Sequence, residues 1–237
     1  MSLPVAILAG GLATRLQPVT ERIPKSLLDV AGEPFAVHQI ELLRRHGLTD
    51  LTFLVGHLGE MIADTLGDGA RWGVRLRYVF DGPRPLGTGG SIRRALPQLA
   101  DPFFVLYGDS YLQCDYATIG NAFILGGTRG LMTVYHNDDR LDRSNVLYAG
   151  GRIVRYEKHR RTPDMRHIDY GLGAFRKSAF AAYADDEAFD LVAVYQDLLA
   201  SSELAGYEVP DRFYEIGSPR GLDETRAYLA ARGVPGR

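Results

Sequence analysis

Near its start the chain reads Val5-Ala6-Ile7-Leu8-Ala9-Gly10-Gly11-Leu12-Ala13-Thr14-Arg15-Leu16-Gln17-Pro18, and Ile23-Pro24-Lys25-Ser26-Leu27 follows shortly after. Residues 5–8 are apolar without polar alternation, the pattern of a parallel strand buried on both faces, and Gly10-Gly11 ends it abruptly. With no Cβ in the way, a glycine turn brings backbone N–H groups close to an anion. Arg15 adds a planar, permanently charged fork and Lys25 a compact ammonium that reaches a second phosphate. A glycine pair behind a strand is by itself only a tight turn. The spaced Thr-Arg-Leu-x-Pro and Pro-Lys-Ser-Leu change that reading to a grip for a nucleoside triphosphate. The spacing fits neither the Walker phosphate loop nor the dinucleotide fingerprint Gly-x-Gly-x-x-Gly.

Outward from this stretch, strand-like and helix-like segments alternate, which predicts a mostly parallel sheet covered by helices. Pro34 opens a helix to about residue 46 that sets Phe35, Ile40 and Leu43 on one face, and Gly47 closes it. Strands are expected at 51–55, 74–80 and 103–107, with a short helix at 60–66 between the first two. Pro85-Leu86-Gly87-Thr88-Gly89-Gly90 opens another helix to about residue 96. Residues 145–149 and 152–156 read as a hairpin turned by Gly150-Gly151, the start of a smaller antiparallel lobe. Helices at 192–201 and 219–232 complete the chain, and Tyr195, Leu198 and Leu199 read as helix core.

The chain's 237 residues, 46% hydrophobic and 24% charged, suffice for one large α/β domain with a full core. A formal net charge of -2, with cations and acids interleaved, gives no electrostatic case for nucleic acid or an anionic membrane. A polyanionic substrate must then be met locally, by a few placed side chains and a metal. Cys114 is the only cysteine, which excludes an internal disulfide and reads as a small buried hydrophobe in a reducing, cytoplasmic setting. No apolar run approaches a membrane span, and the N-terminus enters a strand without a signal-like core, so a soluble, unexported protein is expected. None of the six histidines is spaced as a helix-face metal pair.

Residues 8–35 resemble the N-terminal signature of the sugar-phosphate nucleotidylyltransferases, Leu-Ala-Gly-Gly-x-x-Thr-Arg-Leu-x-Pro-x-Thr, then Pro-Lys-x-Leu, then Gly-x-Pro-Phe. Thr20, Gly32, Pro34 and Phe35 are part of the match. The resemblance implies an α/β fold with a Rossmann-like, mostly parallel sheet flanked by helices and a small antiparallel sugar-binding lobe. It also implies Mg²⁺ as cofactor and a nucleoside triphosphate plus a sugar 1-phosphate as substrates. On this reading residues 1–237 form a single catalytic domain, with 1–135 mainly nucleotide-binding and 136–237 mainly sugar-phosphate-binding. The length leaves no room for the β-helical or isomerase extensions of bifunctional relatives, so a monofunctional enzyme is expected. No nucleic-acid or membrane partner is expected, and a homodimer is the candidate assembly.

The family reaction needs no general base, because the attacking sugar phosphate is already an anion; positioning, cations and Mg²⁺ carry it. Arg15, Lys25 and Asp109 are the expected catalytic residues. Asp109, just past the strand at 103–107, matches the family's Gly-Asp metal ligand at the end of a strand, where open α/β sheets bind ligands. Glu215 in Tyr214-Glu215-Ile216-Gly217 is the candidate second metal ligand, standing where the family usually carries Asp. Leu8, Ala9, Gly10, Gly11, Thr14, Asp81, Gly87 and Thr88 are the expected nucleotide contacts. Tyr107, Glu157, Lys158, Asp169 and Gly171 are the expected sugar-phosphate contacts. His159 stands where the family's Glu-Lys segment continues with proline, which changes the local turn, and Asp169 replaces a frequent Asn by a pure acceptor.

Asp81 resembles the acid of the heptose 1-phosphate guanylyltransferase branch, and a carboxylate suits the paired N–H groups of guanine. GTP with a heptose or hexose 1-phosphate is therefore favoured, with UTP or dTTP and a hexose 1-phosphate as the alternative. A glycosyltransferase would require an Asp-x-Asp metal pair, which Asp109-Ser110-Tyr111 does not supply. A molybdopterin nucleotidyltransferase shares Leu-Ala-Gly-Gly but does not predict Pro-Lys-Ser-Leu. A non-catalytic, ligand-sensing relative is expected to have lost Arg15, Lys25 or Asp109, and all three are present.

Overall fold

The computed structural model describes residues 2–11, 13–158 and 160–232; Leu12 and His159 lie outside the described residues. In chain order the main sheet is built from β1 (Val5–Leu8), β2 (Asp50–Val55), β3 (Arg75–Phe80), β4 (Phe103–Tyr107), β5 (Gly130–His136), β6 (Val146–Ala149), β7 (Arg152–Tyr156), β8 (His167–Phe175) and β9 (Leu204–Glu208). The helices are α1 (Phe35–Arg45), α2 (Gly59–Leu66), α3 (Gly87–Ala95), α4 (Tyr116–Gly126), α5 (Leu191–Ala200) and α6 (Pro219–Ala231).

β1 lies between β4 and β2 and runs parallel to both, with Leu8 opposite Tyr107 on one side and Leu54 on the other. β3 extends the parallel part beyond β2, and β8 joins the free side of β4 antiparallel. Val5 and Ile7 pack with Val37, Ile40, Ile62 and Phe123 on one face, while Ala6 packs with Ile92, Val105, Val194 and Leu198 on the other. That alternation is why the run at 5–8 carries no polar residue: each side chain meets a helix layer. Tyr195 and Leu198 are buried and Leu199 packs against them, as helix core.

The antiparallel part is continuous with the main sheet. β8 pairs with β4, β5 and, through His167 opposite Val146, the β6–β7 hairpin; β9 pairs parallel with β5. A third cluster of Val30, Phe35, Leu42, Tyr111, Ile216 and Leu229 seats α6 beside α1. It also holds a short ladder in which Ser110 pairs with Glu215 and Tyr111 with Tyr214. The sheet thereby presents the carboxyl ends of β1 and β4 to a segment more than a hundred residues later in the chain. Among the described residues no helix is long and apolar enough to cross a membrane.

Candidate active site

Two clefts open along the carboxyl edge of the parallel strands. The smaller, about 280 Å³, is lined by Leu8, Ala9, Gly10, Gly11, Lys25, Ser26, Asp81, Gly87 and Thr88. The larger, about 540 Å³, is lined by Arg15, Asn145, Lys158, Asp169, Gly171, Arg212, Glu215 and Gly217. Tyr107 and Asp109 border both. Seven of the eight residues expected at the nucleotide thus share one cleft, whereas Thr14 is exposed on a 3-10 turn and lines neither. Arg15 faces the larger cleft and not the glycine turn, and Glu157 lines neither.

Backbone proximity shapes the junction. A Cβ on Gly108 would lie 2.5 Å from the Leu8 carbonyl oxygen, so only glycine lets β4 leave the sheet this close to β1. Asp109 follows at once, and its carboxylate receives the Lys25 ammonium at 2.6 Å. The Asp109 carbonyl accepts from the Ile216 N–H at 2.9 Å, which brings Glu215 alongside. Glu215 in turn accepts from the Ser218 hydroxyl at 2.6 Å and from the Gly217 N–H. Gln39, fully buried on α1, steadies the turn by donating to the Tyr107 carbonyl at 3.2 Å and the Ser110 carbonyl at 2.7 Å.

The space between the two carboxylates is kept open by Gly217. A Cβ there would lie 2.8 Å from Glu215 Oε2 and 3.0 Å from Asp109 Oδ2. Two carboxylates with a glycine gap between them, beside a cleft for phosphates, fit Mg²⁺, which takes one or two protein carboxylates and completes its shell with phosphate oxygens and water. Asp109 and Glu215 are the residues that would hold it. Among the described residues no group of three or more His, Cys, Asp or Glu gathers as an all-protein metal site.

On the sugar side, β8 carries a register shift between Asp169 and Gly173, and Gly171 adopts φ +98°. The bulge sets Gly171 against Tyr107 and Ser110, where a Cβ would be 3.1 Å from Ser110 Oγ. Asp169 accepts from the Gly171 N–H at 3.0 Å, the Tyr156 hydroxyl at 3.2 Å and the Tyr107 hydroxyl at 3.4 Å. Burial pushes its carboxyl above the usual carboxylate range, against the opposing pull of those donors and of Lys158. Both oxygens are engaged by the protein, so Asp169 orders the two phenols that frame the cleft.

In the smaller cleft Asp81 is buried, accepts from the Ser91 hydroxyl at 2.6 Å, and faces the crossing of Gly10 and Gly56. A Cβ on Gly56 would lie 2.9 Å from the Gly10 carbonyl oxygen and 3.2 Å from Asp81 Oδ2. Among the described residues Ser26 Oγ is buried without a hydrogen-bond partner, and it lines the same cleft. Gln39, Gly56, Asn145 and Arg212 carried no signal in the sequence, because their roles depend on neighbours far away along the chain. Cys114 is buried, and burial pushes its thiol up to about 12.

A mostly parallel α/β sheet with a glycine turn, an ammonium and paired carboxylates at its carboxyl edge defines a nucleotide-handling class of protein. The nucleotidyl transferase family model matches residues 5–144, and the chain belongs to that family. An N-acetylmuramate alpha-1-phosphate uridylyltransferase of Neisseria meningitidis is 40% identical over 111 residues, 46% of this chain and 48% of that one. A mannose-1-phosphate guanyltransferase beta-B of Xenopus laevis is 27% identical over 226 residues, 90% of this chain and 61% of that one. The structure of HddC from Yersinia pseudotuberculosis in complex with GMP-PN superposes with a TM-score of 0.81 at 23% identity, covering 95% of this chain and 99% of that one. The first three curated relatives are matched over only 48%, 32% and 36% of their own length.

Proposed function

We propose that this chain is a sugar 1-phosphate nucleotidylyltransferase, forming a nucleoside diphosphate sugar and pyrophosphate. The observation that carries this reading is Lys25, Asp109 and Glu215 gathered around Gly217 at the junction of two clefts. In the reaction a phosphate oxygen of the sugar 1-phosphate bonds to the α-phosphorus while the bond to the pyrophosphate oxygen breaks. The nucleophile is an anion, so the protein's task is to bring two anions together and to meet charge in the transition state. The smaller cleft takes the nucleotide and the larger one the sugar phosphate, so residues 1–135 supply mainly the first and residues 136–237 mainly the second. Lys25 meets the triphosphate, while Arg15 and Lys158 meet phosphate from the larger cleft. Mg²⁺ held by Asp109 and Glu215 would neutralise phosphate charge during the displacement.

GTP is the favoured donor. Ser91 takes one lone pair of Asp81 Oδ1 and the Leu86 N–H one of Oδ2, which leaves one acceptor position on each oxygen for the paired N–H groups of guanine. The 40% identical uridylyltransferase supports UTP as the second reading. For the acceptor we favour a heptose or hexose 1-phosphate. A reaction fed by nucleoside triphosphates belongs with the cytoplasmic pool, and a homodimer is the assembly to test by light scattering.

Pyrophosphate release measured with GTP, UTP, dTTP, ATP and CTP against a panel of sugar 1-phosphates tests the proposal. Turnover with one pair, lost in Asp109→Ala and in Lys25→Ala without unfolding, is the expected result. Full turnover in both variants would overturn the site assignment.

A further inference from the structure

Asn145 closes one edge of β8 with two different groups. Its main-chain N–H donates to the His167 carbonyl at 2.9 Å, and its side-chain Oδ1 accepts from the Asp169 N–H at 3.0 Å. The ladder between β6 and β8 consists of one residue pair, His167 opposite Val146, so the Asn145 side chain stands in for the main-chain acceptor that a longer strand would bring. The Asn145 carbonyl accepts from the Glu157 N–H at 3.0 Å, which ties the same residue to the end of β7.

The loop that leads into Asn145 is held as firmly. Asn137 and Ser144 are fully buried; Asn137 donates to Ser144 Oγ at 3.0 Å and to the Asp142 carbonyl at 2.6 Å, and the Ser144 N–H donates to Asp139 Oδ1 at 2.6 Å. These contacts fix which way the Asn145 amide faces. Its nitrogen turned toward the Asp169 N–H would set donor against donor, so Oδ1 meets β8 and Nδ2 carries two protons elsewhere. Asn145 is half-buried on the wall of the larger cleft, and among the described residues Nδ2 has no hydrogen-bond partner.

Around it on the same wall, Asp169 spends both carboxylate oxygens on protein donors, so the fixed amide is a donor without a protein acceptor. A phosphate is drawn to the charged groups of this cleft, Arg15 and Lys158, because charge-assisted bonds are the stronger ones. A neutral amide is matched to a neutral oxygen. We propose that Asn145 is a specificity-determining residue that donates from Nδ2 to one hydroxyl oxygen of the sugar ring. This rests on the assignment of the larger cleft to the sugar phosphate under Proposed function. Asn145→Ala removes both side-chain contacts, whereas Asn145→Asp keeps an oxygen for the Asp169 N–H and replaces the donor by a charged acceptor.

The test is kcat/KM for mannose 1-phosphate, or glucose 1-phosphate where pyrophosphate release selects it, and for analogues in which one hydroxyl at a time is replaced by hydrogen or by fluorine. Asn145→Ala is expected to cost about fivefold more for the parent sugar than for the one deoxy analogue that lacks the contacted hydroxyl, the effect of a single neutral hydrogen bond. For every other deoxy analogue the cost equals that for the parent. Loosening of β8 alone would cost all of them alike. Asn145→Asp adds a charge that weakens the whole panel, but fluorine accepts and cannot donate. At the contacted position its cost is therefore expected to be at least about threefold greater for the fluoro than for the deoxy sugar. This second variant retains the β8 contact and decides the matter where Asn145→Ala folds poorly. A cost uniform across the panel in either folded variant overturns the proposal. A wild-type chain that releases pyrophosphate with no sugar 1-phosphate overturns the reading under Proposed function instead, and the proposal falls with it.

Discussion

Lys25 Nζ lies 2.6 Å from Asp109 Oδ2 although 84 positions separate the two residues in sequence. A divalent cation that reaches Asp109 therefore meets an ammonium already seated on one of its oxygens. Lys25→Met is expected to tighten Mn²⁺ binding to the free protein by about fivefold, because a competing positive charge a few ångströms away is removed. The same variant is expected to lose at least about a hundredfold in turnover, as a charge aimed at the reacting phosphates disappears. Electron paramagnetic resonance of free Mn²⁺ decides the first point, and affinity unchanged from wild type would show that the two cations do not compete.

Glu215 bends over Gly221, and a Cβ at that position would collide with the Glu215 carboxylate. Gly221 lies in the first turn of α6, where alanine favours the helix by about 1 kcal/mol over glycine. A Cβ there also lies 2.8 Å from the Glu215 carbonyl oxygen, so Gly221→Ala is expected to offset that helix gain with a local backbone shift while displacing the carboxylate and weakening Mn²⁺ binding about tenfold. Glu215→Asp in the same chain shortens the arm and is expected to restore part of that affinity. A double variant no better than Gly221→Ala argues against steric displacement.

Gln39 spends both amide protons on the carbonyls that flank Gly108 and Asp109. Gln39→Leu leaves those carbonyls without their donor and is expected to cost about 2 kcal/mol in urea unfolding, the penalty for a buried group left unpaired. Turnover should fall about tenfold or more in protein that is still fully folded, since the turn that aims Asp109 is loosened. Loss of stability with wild-type turnover would restrict Gln39 to a structural part.

Burial raises the Asp169 carboxyl above the usual range despite four favourable neighbours. The folded chain then takes up this proton more readily than the unfolded one, so the associated stability is present at low pH and is lost as pH rises from the unfolded pKa through the raised one. Asp169→Asn removes that cost. It is expected to raise Tm by about 2–4 °C at pH 7, the scale of about 1 kcal/mol in a chain of this size, and to steepen the fall of Tm on acidification, because the proton uptake that offsets that fall is gone. A lower Tm at pH 7 would mean that the carboxylate's hydrogen bonds outweigh its desolvation.

The elements read from the sequence match the structure wherever the signal is contiguous. α1 begins after Pro34 and ends before Gly47, and the expected hairpin turns at Gly150-Gly151 between β6 and β7. Harder to read were β5, β9 and α4. Full-length β8 is obscured by Gly171 and Gly173, residues that weaken a strand signal. Gly171 serves a bulge and Gly173 gives way to Tyr195, needs set by partners on other elements. The hairpin shows the same limit: its turn is local, but its junction with the main sheet runs through His167, which no nearby pattern announces.

By itself the sequence determined the order of buried strands and amphipathic helices and the presence of a glycine turn with a guanidinium, an ammonium and a carboxylate available for phosphate chemistry. These follow from the periodicity and turn chemistry of adjacent residues, which need no distant partner. Only the tertiary structure decided that Arg15 faces the larger cleft, that Thr14 and Glu157 line neither, and that Glu215 closes on Asp109. The reason is geometric: the site is assembled where loops from many elements converge at one edge of the sheet, and packing, which acts across the whole chain, sets that convergence.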